Sequence, residues 1–397
     1  MLGAILTALS GMDAYSDGLQ TISNNVANLN TSGFKEAEVS FNELVNTGGS
    51  EFPGAEDEAS GYGVSVASPM TDFTQGQLQQ TDSALDLAIQ GSGFLTVYQN
   101  GAIYYERTGS FSVTPSGNIA DQNGNNLAVL NAQNQPTELN IKNMETYAPV
   151  ATTSISFTGD LSDATTDTAT TAPITVYDSD GGQHAWTVTF TNPTADSNGT
   201  GVDWTATVTD SNGTTVGTGT IDLTNGGIAN PAQDSFTVNE TVTGAAALSV
   251  SLDFSGLQSF STNSNVQLNT VNGNGLGTLT SVAVDASGQV QITYSNGQTQ
   301  SAGYIALANF QDPQTLHALT GGIYKSAANN YPQYFQSDAP GIGTLEASEL
   351  EASNTNLSSE FGDLILIERG FQACSQVVSI SNDMIQSLFG IQGQGGA

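Results

Sequence analysis

Both ends of the chain repeat apolar residues every seven positions, and a seven-residue seam constrains them to long α-helices laid against a partner. Near the N-terminus Ile5, Met12, Leu19 and Val26 form one row, and Ala8, Tyr15, Ile22 and Leu29 fill the places three further on. Near the C-terminus Leu350, Leu357, Leu364, Phe371, Val378 and Ile385 form the row, with Ile367, Cys374 and Leu388 three positions after members of it. The spacing predicts helices over roughly 1–30 and 350–392, about 40 and 60 Å long at about 1.5 Å per residue. Gly3, Gly11 and Gly18 interrupt the first helix. Each costs about 1 kcal/mol in a helix interior, but Gly11 and Gly18 share a face, where a missing side chain admits a close neighbour. A helix that is weak alone yet keeps a full seam orders when a partner arrives. Both ends have this character, so the expected arrangement is mutual pairing followed by lateral packing between copies. Cys374, the single cysteine, falls in the seam and reads as a small core residue, so no intrachain disulfide is possible.

Between the ends the chain is rich in Thr, Ser, Gly, Asn and Val, with period-two alternation and turn signals. Asn-Gly pairs at 100, 123, 198, 212, 225, 272, 274 and 296 favour primed two-residue turns between antiparallel strands. The expected fold is multidomain and mainly β with α-helical termini. Residues 1–30 and 350–397 pair as a coiled-coil-like assembly domain. Residues 31–70, with Gly48, Gly49, Pro53 and Gly54, form an extended connector. A β-rich domain takes 71–145 with 281–349, and 146–280, the most Thr/Ser-rich stretch, is an inserted outer β domain.

Charge and motif content exclude several functions. Five basic residues face 38 acidic ones, a net charge of −33, so nucleic acid and anionic membrane surfaces are poor partners. The N-terminus has no basic stretch and its apolar residues are periodic rather than continuous, which argues against a cleaved signal peptide. No apolar run is long enough for membrane insertion. His184 and His317 are the only histidines, and no zinc, Walker, GxSxG or complete GxGxxG pattern occurs, so neither enzyme nor cofactor nor metal site is expected. Asp178-Ser179-Asp180-Gly181 reads as a hairpin turn rather than a calcium loop, because the remaining ligand spacing is missing.

One set of residues matches a known pattern. Asn24-Asn25-Val26-Ala27-Asn28-Leu29-Asn30-Thr31-Ser32-Gly33-Phe34-Lys35 closely resembles the N-terminal signature of the flagellar rod and hook protein family. Leu85-Asp86-Leu87-Ala88-Ile89-Gln90-Gly91-Ser92-Gly93-Phe94 resembles its next marker, and Tyr105-Glu106-Arg107-Thr108-Gly109-Ser110-Phe111 and Gly117-Asn118 also fit. Ser353-Asn354-Thr355-Asn356-Leu357 and Glu368-Arg369-Gly370-Phe371-Gln372-Ala373 are similar to the closing motif, with Glu368, Phe371 and Cys374 where the family usually has Gln, Tyr and Asn. The resemblance implies a non-enzymatic homo-polymer: coaxial terminal helices line a hollow curved tube, β domains stack outward, and the tube transmits torque as a flexible joint. It implies flagellar rod, hook cap and hook-filament junction proteins as partners. It also implies export, without cleavage, through the flagellar type III apparatus to the extracellular flagellum. The stretch 146–280 favours the longer, hook-type members over a shorter distal rod or rod-like protein. A secreted β-rich adhesin or carbohydrate-binding module is the alternative of a different class, and it would keep its ligand after loss of both ends.

Overall fold

The computed structural model describes residues 2–46, 60–162, 167–195, 201–224, 234–242, 244–260 and 263–394. The Asn-Gly pairs at 198 and 225 and the Gly/Pro stretch 48–54 lie outside them. The fold is mainly β, with helix α1 (Leu2–Ala27) packed against helix α2 (Leu357–Gln394). The chain divides into two compact units, one of 1–142, 282–291 and 301–397, the other of 143–281 and 292–300.

In the second unit, two sheets enclose one core. The first runs in the order Ala169–Thr170, Gln183–Ala195, Gly201–Thr209, Thr215–Thr224; the other runs Ser235–Glu240, Leu248–Phe260, Ser154–Ser162, Asn265–Val271. Strict alternation along Gly201–Thr209 sends Trp204, Ala206 and Val208 inward, as a half-buried strand requires. They meet Trp186, Phe190, Phe157 and Phe254, all fully buried, with the Phe157 and Phe254 rings stacked at 5.0 Å. Ser154–Ser162 and Leu248–Phe260 pair in parallel, a long-range pairing that turn signals cannot foretell.

Hairpin ends depart from the expected turn chemistry. Among the described Asn-Gly pairs, only Asn100-Gly101 has both residues left-handed, with φ of 51° and 77°, as a primed turn needs. At four other turns an Asp opens a longer loop and caps it. The Asp210 Oδ1 accepts from the amides of Asn212 (2.9 Å) and Thr214 (2.7 Å), and only Gly213 is left-handed. Asp121, Asp178 and Asp285 do the same at their own turns, so Asp178–Gly182 closes a hairpin, as expected. Asn272-Gly273 and Asn274-Gly275 close no hairpin; the Asn272 side chain instead accepts from the amides of Thr153 and Ser154.

In the first unit, a sheet containing Asn126–Leu130, Phe94–Gln99, Ala102–Glu106 and Tyr324–Lys325 carries an aromatic core of Phe94, Tyr105, Phe310 and Tyr324. Two smaller ladders tie the chain's distant halves together: Thr344–Ala347 on Asp86–Gln90, and Glu349–Glu351 on Leu78–Gln80. The stretch 31–70, expected to be extended, is paired in its described parts. Ala37–Glu38 bonds to Met70–Thr71, and Phe41–Asn46 forms an antiparallel ladder with Ser60–Val66 that lies on α1. There the Val64 amide donates to Ser10 Oγ (3.2 Å) and the Phe41 ring sits 5.4 Å from that of Tyr15.

Candidate assembly surface

The two helices touch through small residues. A Cβ placed on Gly11 would lie 2.8 Å from Cys374 Sγ, and one on Gly18 would lie 2.7 Å from Ile367 Cδ1. Gly370 on α2 is covered in the same way by the Tyr15 ring. Glycines that weaken an isolated helix therefore let the two axes approach, and large side chains of one helix fill the gaps left by the other. Ala8, Ala14 and Ile22 on α1 and Ile367 on α2 are buried.

The sequence-derived seam is distributed around this contact. Ile22 and Ile367 are buried; Ile5, Met12, Tyr15, Leu19, Val26 and Leu29 are half-buried, as are Leu364, Phe371, Cys374, Val378 and Ile385. Leu357 is exposed, and the side chain of Leu388 lies outside the described residues. Leu350 requires a correction, because it lies in the strand Glu349–Glu351 and not on a helix. The helix begins seven residues later than that row suggested, where the Asn356 side chain accepts from the Ser358 amide (3.0 Å) and caps it.

Apolar residues flanking the seam remain open. On α2, Phe361 and Ile365 follow inward positions 360 and 364 by one residue, whereas Leu366, Val377, Ile380 and Met384 precede 367, 378, 381 and 385 by one. A step of one residue is about 100° around a helix, so these side chains line both shoulders of the contact. Leu366 is 69% exposed and Ile365 57%, and on α1 Leu6 and Leu9 are 56% and 55% exposed. A helix pair with an apolar seam and two apolar shoulders presents surface that one partner helix cannot cover.

The motif residues lie at the joint where the helices meet the β-strands of their own unit. Asn24 and Thr31 are exposed, Asn28 and Phe34 half-buried, and Asn25, Gly33 and Lys35 buried. Asn25 spans three elements: its amide donates to Glu360 Oε1 and to the Ala37 carbonyl, both at 3.0 Å, and its oxygen accepts from the Ala37 amide. Gly33 turns the chain with φ 72°, its amide donating to the Glu351 carbonyl (2.7 Å). Lys35 Nζ then meets Glu351 Oε1 at 2.6 Å, and Arg107 Nε meets Glu351 Oε2 at 3.3 Å. Asn354 bridges the Glu36 amide and the Asp72 carbonyl, both at 2.8 Å.

Beside the joint lies a crevice of about 530 Å³ walled by Glu36, Glu38, Asp72, Glu360 and Asp363. Partial burial, with the neighbouring carboxylates adding to it, raises the Glu36 and Glu360 carboxyls above their ordinary range. Glu351, Asn354 and Glu360 were not singled out as joint residues from the sequence, since their partners lie hundreds of positions away.

Comparison with known proteins places these features in a family. Residues 5–35 match the model described as flagella basal body rod protein, 88–162 the flagellar hook protein FlgE/F/G D1 domain, and 346–391 the flagellar basal body rod FlgEFG protein C-terminal. The flagellar hook protein FlgE of Escherichia coli (strain K12) is 29% identical over 98% of this chain and 100% of its own. The FlgE of Treponema pallidum (strain Nichols) is 28% identical over 99% and 100%. The crystal structure of Helicobacter pylori FlgE2 shares the fold with a TM-score of 0.50 at 10% identity, covering 69% of this chain and all of that one.

Proposed function

The chain belongs to the flagellar hook protein FlgE family, a structural and non-enzymatic one, and on that premise we propose how it assembles and what its parts do. As a structural subunit of the hook it polymerises through the α1–α2 pair, which lines a hollow tube, while the β units stack outward. The proposed domain layout follows the sequence: 1–30 with 350–397 in the tube wall, where the Phe41–Asn46 and Ser60–Val66 ladder lies on α1, then 71–145 with 281–349, and 146–280 outermost. The observation that carries this reading is the pair of open apolar shoulders on α2, Phe361 and Ile365 on one side and Leu366, Val377, Ile380 and Met384 on the other. A neighbour on each side is what a closed ring or helix of subunits supplies, through a head-to-tail contact that repeats.

Several finer points belong to the same proposal. The seam residues from Ile5 to Leu29 and Leu357 to Leu388 hold the helix pair and its neighbours, and Asn24, Asn25, Asn28, Thr31, Gly33, Phe34 and Lys35 set the exit from α1. The polymer meets rod, hook cap and hook-filament junction proteins at its ends. The subunit leaves the cell through the flagellar type III apparatus without losing its N-terminus, and the assembled tube transmits torque as a universal joint. Electron microscopy of concentrated purified protein is expected to show hollow, curved tubes. Monomers persisting across salt, pH and added cap protein would refute the proposal.

A further inference from the structure

Lys35 and Arg107 are two of only five basic residues in a chain with 38 acidic ones, and both are buried against one carboxylate. Glu351 is fully buried, and Lys35 lies 316 positions away from it in sequence. Its two oxygens are well supplied: Oε1 accepts from Lys35 and from the Gly76 amide at 2.8 Å, and Oε2 from Arg107. Arg107 also donates to the carbonyls of Gly93 and of Gly91 (2.7 Å), and its guanidinium stands 5.7 Å from the centre of the Phe94 ring. Lys35 donates to the Thr74 carbonyl at 2.6 Å. The three charges thus bring together the exit from α1, the strand leading to α2, and the strand neighbourhood around Gly91.

We infer that Lys35, Arg107 and Glu351 act as a charge latch that makes the helix pair and the β-strands of its unit open and close as one cooperative unit. The inference rests on the fold and is independent of polymerisation. Two cations brought into one dry site repel unless Glu351 is there, and Glu351 arrives only when the segment before α2 has docked on Leu78–Gln80. Opening either side therefore strands a buried charge on the other, and such stranding, rather than the pair's net attraction, is what a buried ion cluster enforces. A consequence follows for mechanics: the passage from helix pair to β-strands is a stiff joint, clamped again by Asn25 and Asn354.

Charge counting supplies the test. The wild-type site carries two positive charges and one negative; Glu351→Gln leaves two positive and none negative. The double variant Lys35→Met/Glu351→Gln restores the single net charge, with Arg107 still held by its carbonyl partners. Native-state amide exchange on the full chain should show Gly33, Ala352 and the α1 amide of Asn25 accelerating together, at least tenfold, in Glu351→Gln. The double variant should return most of that protection, so the two substitutions are strongly non-additive. Should Glu351→Gln fail to fold, recovery of a folded chain in the double variant supports the latch. Two results would overturn it: α1 amides that keep wild-type rates while those near Glu351 accelerate, or a double variant as damaged as the single one or more.

Discussion

The helix pair and the second unit's β-sandwich distribute apolar residues in opposite ways. In the sandwich Trp186, Trp204, Phe157, Phe190 and Phe254 are sealed within one cluster of twenty buried side chains. In the helices only Ala8, Ala14, Ile22 and Ile367 are buried apolar residues among those described, whereas Leu6, Leu9, Leu357, Phe361, Ile365, Leu366, Val377, Ile380 and Met384 are exposed. The sandwich is complete within one chain. The helices expose apolar area that folding leaves in water, and association is what removes it. Autonomy and incompleteness therefore occur in one polypeptide and should respond differently to substitution.

The sharpest break comes from the sandwich core. Phe254→Ala is expected to lower the stability of that unit by about 3–5 kcal/mol, since a large aromatic leaves a cavity among rigid neighbours. Circular dichroism melts should show the β transition falling while the helical signal holds; equal loss of both would erase the distinction. Next in size is Gly18→Leu, which sets a branched side chain against Ile367. Overpacking of about 1–3 kcal/mol outweighs the gain of up to about 1 kcal/mol in helix propensity. Helix pairing and assembly should fail together with the sandwich melt unchanged.

Acid should separate the two regions by sign. At the helix joint Glu36 and Glu360 have carboxyls raised above the ordinary value by burial, so the folded joint binds protons more readily than the unfolded chain. Its stability therefore grows as pH falls from neutrality toward the ordinary carboxylate range. At the sandwich turns the direction reverses. The His184 hydrogen bond holds Asp178 below its ordinary range, and the Thr214 amide does so for Asp210. Their contribution is present above about pH 4 and is lost as pH falls through the lowered value. Amide exchange at pH 7, 5 and 3 should show joint protection rising first and turn protection falling later; parallel trends would contradict this. The smallest effect concerns long-range repulsion. Copies carrying −33 each should assemble more readily as salt rises, and turbidity that ignores salt would remove charge from the account.

Periodicity made much of the helix pair readable, because a seven-residue repeat survives whatever else the chain does. Gly11 and Gly18 were readable as a permissive face, and both are covered by side chains of α2, as Gly370 is by Tyr15 of α1. Leu350 was misplaced because it continues the row in sequence, while the ladder to Leu78–Gln80 and the Asn356 cap make the helix start only after it. The joint was only half legible. Lys35 and Arg107 stood in recognisable motifs, but Glu351 has no local signature, and its burial is a product of strand pairing between distant segments. Turn chemistry was legible in place but not in kind: Asn-Gly pairs mark the turns at 123 and 212, yet the Asp two residues earlier caps each loop.

On the proposed function, the open shoulders of α2 exist to be covered by neighbouring copies. Analytical ultracentrifugation of Ile365→Asp/Leu366→Asp against the wild type under assembling conditions tests it most directly. Both positions face water in the single chain, so the monomer's melt should move by no more than about 1 kcal/mol, about 0.5 for each substitution. The account predicts that the variant sediments as a monomer where the wild type forms polymers. Polymers of undiminished size from the variant would contradict it.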